Sequence, residues 1–292
     1  MTTKKVMQPD LVDLHVHSSV SDGNLTPREV VRHAAEIGLV AIALTDHDTV
    51  AGVPEAVAAG REFGIEVIAG VEISAEFKDG SCHILGYFLD IADETLAALL
   101  KEAREGREER NVKVLEKLNA LGLTLTMDEV IHCSQDGTIT RAHFAAAMLA
   151  KGYIKHWDEA FDKYLGAGKP ASVERTHVTP EESIRAIRAA GGLASLAHPR
   201  QLCRGADETN WWFERLAAAG LEALETTSPD HTANYARRYR EAAERLGLLQ
   251  TGGTDWHGRL DADIRLGVGN GQIAVHYDRV RAMKERLAAR GR

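Results

Sequence analysis

Histidine and carboxylate residues stand at the ends of successive strand-like runs in this chain. Thirteen of the 292 residues are histidines. His15 and His17 close the first run, where residues two apart share one face of a strand. Imidazoles placed side by side in this way can bind one metal ion. A single such pair also arises by chance, so its meaning depends on whether similar residues recur later in the chain.

The same residue types return at later runs. They occur at Asp22, at Asp46-His47-Asp48, at Glu72, at His83, at His198 and at Asp255-Trp256-His257. Each has an ordinary structural explanation, since a lone histidine is often a hydrogen-bonded core residue and an aspartate after a strand often caps a turn or helix. Glu72 is the hardest to explain in this way, because an unpaired carboxylate in an apolar strand is costly unless a cation meets it.

Strand-like and helical runs alternate over much of the chain. Residues 26–29 and 179–182 are capping boxes that each open a helix. Such alternation predicts a parallel α/β sheet or barrel. In a barrel the carboxyl ends of the strands converge on one face. We therefore expect the histidines and acids to form one site rather than scattered structural residues.

The middle of the chain has a different pattern. Residues 91–175 predict helices only, beginning with a long charged helix from about residue 93 to 119. We expect residues 1–90 and 176–292 to form the barrel, and residues 91–175 to be a mainly helical insertion that caps it. An independent domain on flexible linkers is disfavoured, because neither junction is rich in Gly, Ser or Pro.

Composition and charge limit the classes of function. Hydrophobic residues make up 44% and charged residues 27%, as in ordinary globular proteins. The net charge of −8 argues against a surface built for duplex DNA or an anionic membrane. Three widely spaced cysteines without a CxxC pair predict a cytoplasmic protein. The sequence has no apolar stretch long enough to predict a membrane-spanning helix. We expect a monomer or a simple homo-oligomer.

Five groups of motifs, in order along both proposed parts of the barrel, carry a family resemblance. They are DLHVHS from residue 13 with SDG from residue 21, LTDHDT from residue 44, GVEIS from residue 70, AHP from residue 197 and GTDWH from residue 253. The chain resembles the polymerase-and-histidinol-phosphatase (PHP) family of metal-dependent phosphoesterases. The resemblance implies a distorted (β/α)7 TIM-like barrel with up to three metal ions at the carboxyl ends of its strands.

The resemblance also implies which residues hold the ions. His15, His17, Glu72 and Asp255 match the ligands of one ion; Glu72 also bridges to a second ion held by His83 and His198; Asp22, His47 and His257 match a third. In many relatives a histidine stands at the position of Asp22. Among these residues, Glu72, Asp255, His257 and Asp22 are expected to matter most for catalysis. Imidazole and carboxylate ligands suit borderline divalent ions, so we expect two to three ions, with Mn²⁺ first and Fe²⁺ or Zn²⁺ as alternatives.

A narrower resemblance concerns the substrate. The run from Thr140 to Phe144 and the Gly191-Gly192 pair resemble a bacterial subgroup that removes the 3′-phosphate of nucleoside 3′,5′-bisphosphates such as 3′-phosphoadenosine 5′-phosphate. Some members also trim short RNA from its 5′ end. Arg141 and His143 are the first candidates for holding phosphate, because a guanidinium binds it in a bidentate manner. The weaker candidates are Lys169, Arg175, His177 and Arg200.

Three other functions share parts of this pattern. The same metal site could serve another small phosphomonoester such as histidinol phosphate, although the insertion with Arg141 and His143 favours a larger, doubly charged ligand. A non-catalytic PHP module would be expected to have lost ligands, whereas every expected position is filled. An amidohydrolase would place a carboxylated lysine between its metals, where we place Glu72.

Overall fold

The computed structural model describes residues 10–75, 82–134, 138–173, 178–202, 205–258 and 264–291. Its strands are β1 Leu11–Val16, β2 Ala41–Leu44, β3 Glu66–Ala75, β4 Cys82–Tyr87, β5 Leu193–Leu196, β6 Ala223–Thr227, β7 Leu249–Gly252 and β8 Val275–His276. They form one eight-stranded sheet in the order β7-β6-β5-β4-β3-β2-β1-β8. The predicted barrel strands are all present, and the two-residue β8 was not predicted from the sequence.

The sheet curls until β1 meets the end of β7. The His17 backbone N–H donates to the Trp256 carbonyl at 2.9 Å, and Val16 pairs with Trp256 in an isolated parallel bridge. Gly253 makes this approach possible, because a Cβ at that position would lie 2.4 Å from the Cβ of His15. The result is a nearly closed barrel, as the sequence predicts.

The sheet is mainly parallel, as the alternation of strands and helices predicts, but two strands depart from this pattern. β1, β2 and β3 are parallel, as are β5, β6 and β7. β4 is antiparallel to both of its neighbours, and β8 is antiparallel to β1. The connection from β3 to β4 is too short for a crossover helix, so the chain must turn straight back. Because β4 runs backwards, its first residues, including His83, lie at the face where β3 ends.

Helices pack against the strands on the outside of the barrel. They are α1 Pro27–Glu36, α2 Val53–Phe63, α7 Pro180–Ala189, α8 Ala206–Ala218, α9 Ala233–Leu246 and α10 Asp278–Arg290. Both predicted capping boxes are present, with Thr26 and Thr179 each accepting from the backbone N–H of a glutamate three residues later. We did not predict α8, whose first residue follows Gly205 without a side-chain cap.

The described parts of residues 91–175 form helices and turns without a strand. These elements are α3 Glu94–Ala120, α4 Met127–His132, α5 Arg141–Ala150 and α6 Asp158–Ala160, which continues as a π-helical turn, Phe161–Leu165. The second half of α3 packs with α5 through Val114 and Phe144, whereas Leu96 in its first half packs with the barrel. The domain boundaries stay a prediction, since one helix belongs to both cores. None of the described helices is long and apolar enough to cross a membrane.

Candidate metal centre

The residues predicted as metal ligands meet at one face of the barrel. His15 and His17 close β1, Asp22 and His47 lie in the loops after β1 and β2, Glu72 is in β3, His83 opens β4, His198 follows β5, and Asp255 and His257 follow β7. Most of these side chains are buried, and the Asp255 side chain is 33% exposed. The site is therefore enclosed by the barrel and opens at the end of β7.

Glu72 lies at the centre of this face, with its two oxygens directed at different histidines. Oε1 is 2.7 Å from His83 Nδ1 and 3.0 Å from His198 Nε2. Oε2 is 3.3 Å from the Nε2 atoms of both His15 and His17. A carboxylate placed between two pairs of imidazoles in this way has the geometry of a bridge between two cations.

Asp255 completes the cluster around His15 and His17. Its Oδ1 lies 3.4 Å from His15 Nε2 and 3.1 Å from His17 Nε2. Together with Glu72, these residues offer four ligand atoms that all lie within 4.8 Å of one another. This set of atoms could hold one metal ion.

A further cluster lies beside it, around Asp22. Asp22 Oδ1 is 3.2 Å from His257 Nε2, and Asp22 Oδ2 is 3.9 Å from His47 Nε2. His47 turns its other nitrogen, Nδ1, to Glu72 Oε2 at 3.0 Å. His17 also belongs to this cluster, with Nδ1 3.9 Å from Asp22 Oδ1. The clusters therefore share side chains, and His47 and His17 connect them.

The electrostatics of the site favour cations. Burial alone would raise the pKa of Glu72, but the surrounding histidines hold it well below its ordinary value. Burial would lower the pKa of His17, yet the neighbouring carboxylates of Asp255 and Glu72 raise it to about 10. His47 is the exception, since burial lowers its pKa to about 3. The buried Glu72 carboxylate thus remains ionised and requires positive charge beside it.

Several buried ligand atoms have no hydrogen bond among the described residues. They include His15 Nε2, His17 Nδ1 and Nε2, His47 Nδ1, Glu72 Oε2 and His198 Nδ1. Buried polar atoms in folded proteins are almost always hydrogen-bonded. Most of these unpaired atoms converge around Glu72, and imidazole nitrogens with carboxylate oxygens are the donor set of borderline divalent ions. The residues present therefore fit metal binding.

A second layer of carboxylates holds the ligands in place, and we did not predict it. Glu225 in β6 lies 3.1 Å from His15 Nδ1 and accepts a hydrogen bond from the His198 backbone N–H. Asp13 accepts from the backbone N–H groups of His15 and Thr254. Such partners fix the orientation of a ligating imidazole. Like Glu72, Glu225 is a carboxylate within a buried strand, so the same pattern in the sequence could have indicated that it belongs to the site.

Part of the site backbone is strained. Asp48, His198 and Asp255 have φ values of 54°, 23° and 54°, in the left-handed region that non-glycine residues rarely adopt. Each of the three follows a strand at the face that carries the clusters. Such conformations cost on the order of 1–3 kcal/mol each and concentrate at functional sites. Two of these strained residues, His198 and Asp255, are predicted metal ligands.

The insertion is tied to the barrel beside these clusters. Thr140 Oγ1 donates to Asp22 Oδ2 at 2.9 Å. Arg107 Nε donates to Asp48 Oδ2 at 3.0 Å, and Arg104 Nη1 donates to the Asp48 carbonyl at 2.8 Å. Arg107 and Asp48 are both buried. The insertion thus brings guanidinium groups and a hydroxyl group to the edge of the site.

The structure places the two main candidates for phosphate binding at the start of α5. Arg141 is half-buried and donates from Nη1 to the Leu165 carbonyl at 3.3 Å. Burial, with the charge of Arg107, lowers the pKa of Arg141. His143 Nδ1 accepts from the Thr140 backbone N–H at 3.0 Å, as part of a capping box. Both residues therefore belong to the helix whose first turn reaches Asp22.

The weaker candidates lie elsewhere. Arg200 donates to the Asp230 carbonyl at 2.9 Å and packs over the ring of Tyr235. Lys169 is exposed after the π-helical turn. His177 and Arg175 lie outside the described residues. The structure thus gives Arg200 structural partners, and it does not bring Lys169 into contact with the clusters.

A nearly closed barrel with adjoining histidine–carboxylate clusters on one face is an arrangement suited to metal binding. A model of the PHP domain matches residues 13–167. The chain belongs to the PHP domain family, and the predicted fold and family resemblance are confirmed. This match favours the phosphoesterase family over the amidohydrolase alternative.

Similar proteins extend over most of the chain. A 3′,5′-nucleoside bisphosphate phosphatase of Chromobacterium violaceum is 37% identical over 84% of this chain and 87% of its own length. A 5′-3′ exoribonuclease of Haemophilus influenzae is 36% identical over 84% of this chain and 89% of its own length.

Solved structures show the same architecture. One, described as an amidohydrolase from Chromobacterium violaceum with bound sulfate and no metal, superposes with a TM-score of 0.85 at 34% identity, covering 94% of this chain and 96% of that one. A metal-dependent phosphoesterase from Bifidobacterium adolescentis gives a TM-score of 0.83 at 31% identity, covering 96% of this chain and 98% of that one.

Proposed function

We propose that the protein is a metal-dependent phosphatase that hydrolyses the 3′-phosphate of nucleoside 3′,5′-bisphosphates, such as 3′-phosphoadenosine 5′-phosphate. The products are a nucleoside 5′-monophosphate and inorganic phosphate. The observation that carries the proposal is the position of Glu72 between two pairs of histidines. The phosphatase of Chromobacterium violaceum supports this substrate class. The exoribonuclease relative supports short RNA as a second substrate, because breaking the bond to the 3′-oxygen releases the 5′-terminal nucleotide.

The proposal assigns the clusters to two or three ions, Mn²⁺ first and Fe²⁺ or Zn²⁺ as alternatives. His15, His17, Glu72 and Asp255 would hold one ion; Glu72, His83 and His198 would hold a second; Asp22, His47 and His257 would hold a third. When bound, the ions would lower the pKa of a water and neutralise charge on the attacked phosphoryl group.

The other roles fall to the side chains of this chain. Glu225 would keep the Nδ1 atom of His15 protonated and so leave Nε2 as the ligand atom. His257 Nδ1 lies 2.7 Å from the Asp255 carbonyl, which in the same way leaves Nε2 facing Asp22. Thr140 would orient Asp22 through its hydroxyl group. These contacts fix the ligand atoms before substrate arrives.

The second layer predicts a measurable effect on metal affinity. Replacing Glu225 with glutamine should weaken metal binding by about tenfold, because His15 loses the charged partner that orients it. Titration of metal-free protein with Mn²⁺ in a calorimeter checks this. The exposed Glu241 of α9 provides the control, and Glu241→Gln should bind Mn²⁺ as the wild type does. Unchanged affinity in the Glu225→Gln protein would show that Glu225 does not support the centre.

The Asp22 cluster predicts an effect on turnover. Asp22→Ala and His257→Ala should lower kcat on the order of a hundredfold and change KM little, because they act on charge that develops mainly in the transition state. Steady-state kinetics of phosphate release measures both constants. His276→Ala is the control, since this histidine is exposed on β8. A loss confined to KM would make Asp22 and His257 substrate contacts instead.

The substrate is tested by a screen of the Mn²⁺-loaded protein that measures released phosphate for the phosphomonoesters and released nucleoside 5′-monophosphate for RNA. The panel holds nucleoside 5′-, 3′- and 3′,5′-phosphates, histidinol phosphate and short 5′-phosphorylated RNA. The proposal expects the highest kcat/KM for the 3′,5′-bisphosphates. A higher kcat/KM for histidinol phosphate would contradict the proposal and favour histidinol phosphate as the substrate.

A further inference from the structure

A pocket of about 280 Å³ adjoins the metal centre on the side of β5, β6 and β7. One wall is formed by His198 and Asp255, which are predicted metal ligands. Further lining comes from the loop that follows β6, including Ser228 and Asp230. A volume near 300 Å³ is at the lower end of the range for ligand pockets in proteins. The pocket therefore has room for part of a small substrate next to the clusters.

The chemistry of this pocket suits an uncharged, hydroxylated group. Its described lining combines hydrogen-bonding side chains, among them Gln201, Ser228 and Asp230, with apolar surface from Pro229 and Ile264. No lysine or arginine belongs to the described lining. A phosphate group away from the metal centre needs a cationic partner. The carboxylates of Asp230 and Asp255 in the lining would instead repel such a group.

Asp230 brings a carboxylate to the wall of this pocket. Its Oδ1 is buried and lies 3.3 Å from His231 Nε2, while the side chain as a whole is 29% exposed. Its backbone is fixed, because the carbonyl accepts from Arg200, which packs over Tyr235. The exposed part of the carboxylate can accept a hydrogen bond from a ligand in the pocket.

The insertion brings the opposite charge to the edge of the centre. It brings Arg104 and Arg107 to Asp48, and Arg141 lies in the first turn of α5. The pocket and the insertion therefore distinguish the ends of a substrate whose reacting phosphate lies at the clusters. A second phosphate is attracted to the insertion, and an uncharged sugar is accommodated beside β6.

We propose that the pocket binds the sugar of the nucleoside, with Asp230 accepting a hydrogen bond from the ribose 2′-hydroxyl. This inference rests on the proposed function, because a 3′-phosphate at the clusters brings C3′ to the mouth of the pocket. C2′ is bonded to C3′, so its hydroxyl enters the pocket next. Asp230 thereby makes the enzyme select ribose over 2′-deoxyribose.

Matched substrates test this selection. Wild-type protein should hydrolyse adenosine 3′,5′-bisphosphate with a kcat/KM roughly tenfold or more above that for its 2′-deoxy analogue, as expected for one hydrogen bond to a charged group. Asp230→Ala should slow only the ribose substrate, which brings the ratio close to one. Asp278→Ala is the control, because this aspartate is 63% exposed at the start of α10 and should leave the ratio unchanged. No preference in the wild type, or equal losses on both substrates, overturns the assignment.

A binding measurement separates the pocket from the reaction. Adenosine 5′-monophosphate and its 2′-deoxy analogue are titrated into the Mn²⁺-loaded wild type and the Asp230→Ala protein. Tighter binding of the ribose form, lost in the variant, supports the pocket even if no bisphosphate is hydrolysed, in which case the proposed function alone fails. Equal binding of both forms by the wild type overturns the pocket even if bisphosphates are hydrolysed.

Discussion

Replacing Glu72 with alanine is expected to lower kcat roughly a thousandfold or more, because a single carboxylate serves two clusters. Its Oε1 faces His83 and His198, and its Oε2 faces His15 and His17. Removing it deprives both histidine pairs of their shared anion at once. The variant should also bind less metal than the wild type.

Two further variants separate this role from folding. Glu72→Gln keeps the shape of the side chain and removes its charge, so it should fold and still lose most activity. Glu66→Ala makes the matched change at the other end of the same strand, where Glu66 binds Tyr277 and Lys284, and it should retain activity. Metal content by mass spectrometry, circular dichroism and phosphate release are measured on all three. Normal metal content and turnover in the Glu72→Ala protein would show that Glu72 does not bridge two ions.

The convergence of the predicted ligands could be anticipated from the sequence because these residues obey a local rule. His15, His17, His198 and Asp255 stand where apolar strand runs end, and strand ends of a barrel share one face. His83 obeys the rule in reverse, since it opens a strand that runs backwards. The short connection between β3 and β4 leaves no room for a crossover helix and so decides this, but the regular alternation of strands and helices elsewhere in the sequence concealed it.

The supporting contacts could not be found in this way, because they join distant parts of the chain. Glu225 and His15 are separated by 210 positions, and Thr140 and Asp22 by 118. Only the closure of the barrel and the docking of the insertion bring them together. A local pattern records that a side chain is polar within an apolar strand, but it does not identify the partner.

The docking of the insertion concentrates positive charge on one side of the centre. Arg107 binds Asp48 within the protein, so its charge is partly neutralised there. Among the described residues, Arg141 instead donates a hydrogen bond to the Leu165 carbonyl. Since a carbonyl carries no formal charge, this bond leaves the guanidinium of Arg141 with its attraction for an anion. This makes Arg141 the residue on which recognition of a second phosphate should depend most.

Arg141→Ala is therefore expected to lower kcat/KM for a 3′,5′-bisphosphate roughly ten- to hundredfold, the effect of one charge-assisted hydrogen bond. The loss should be much smaller for a nucleoside 3′-monophosphate, which has no second phosphate to place. Arg141→Lys should recover part of the activity, because an ammonium keeps the charge without the two-pronged guanidinium geometry. Arg237→Ala, at a side chain 59% exposed on α9, is the control.

Kinetics on the matched pair distinguish three roles for Arg141. If it binds the second phosphate, only the bisphosphate is affected. If it holds the phosphate that is hydrolysed, both substrates lose equally, and the claim of selection fails. If it only fastens α5 to Leu165, the Arg141→Ala and Arg141→Lys proteins have the same kcat/KM values although the second keeps the charge. The melting temperature then falls in both variants. Because Thr140 in the same turn reaches Asp22, a shift of α5 would also disturb the Asp22 cluster, and kcat would then fall on both substrates. A loss restricted to the bisphosphate, at an unchanged melting temperature, is thus the result that only direct phosphate recognition produces.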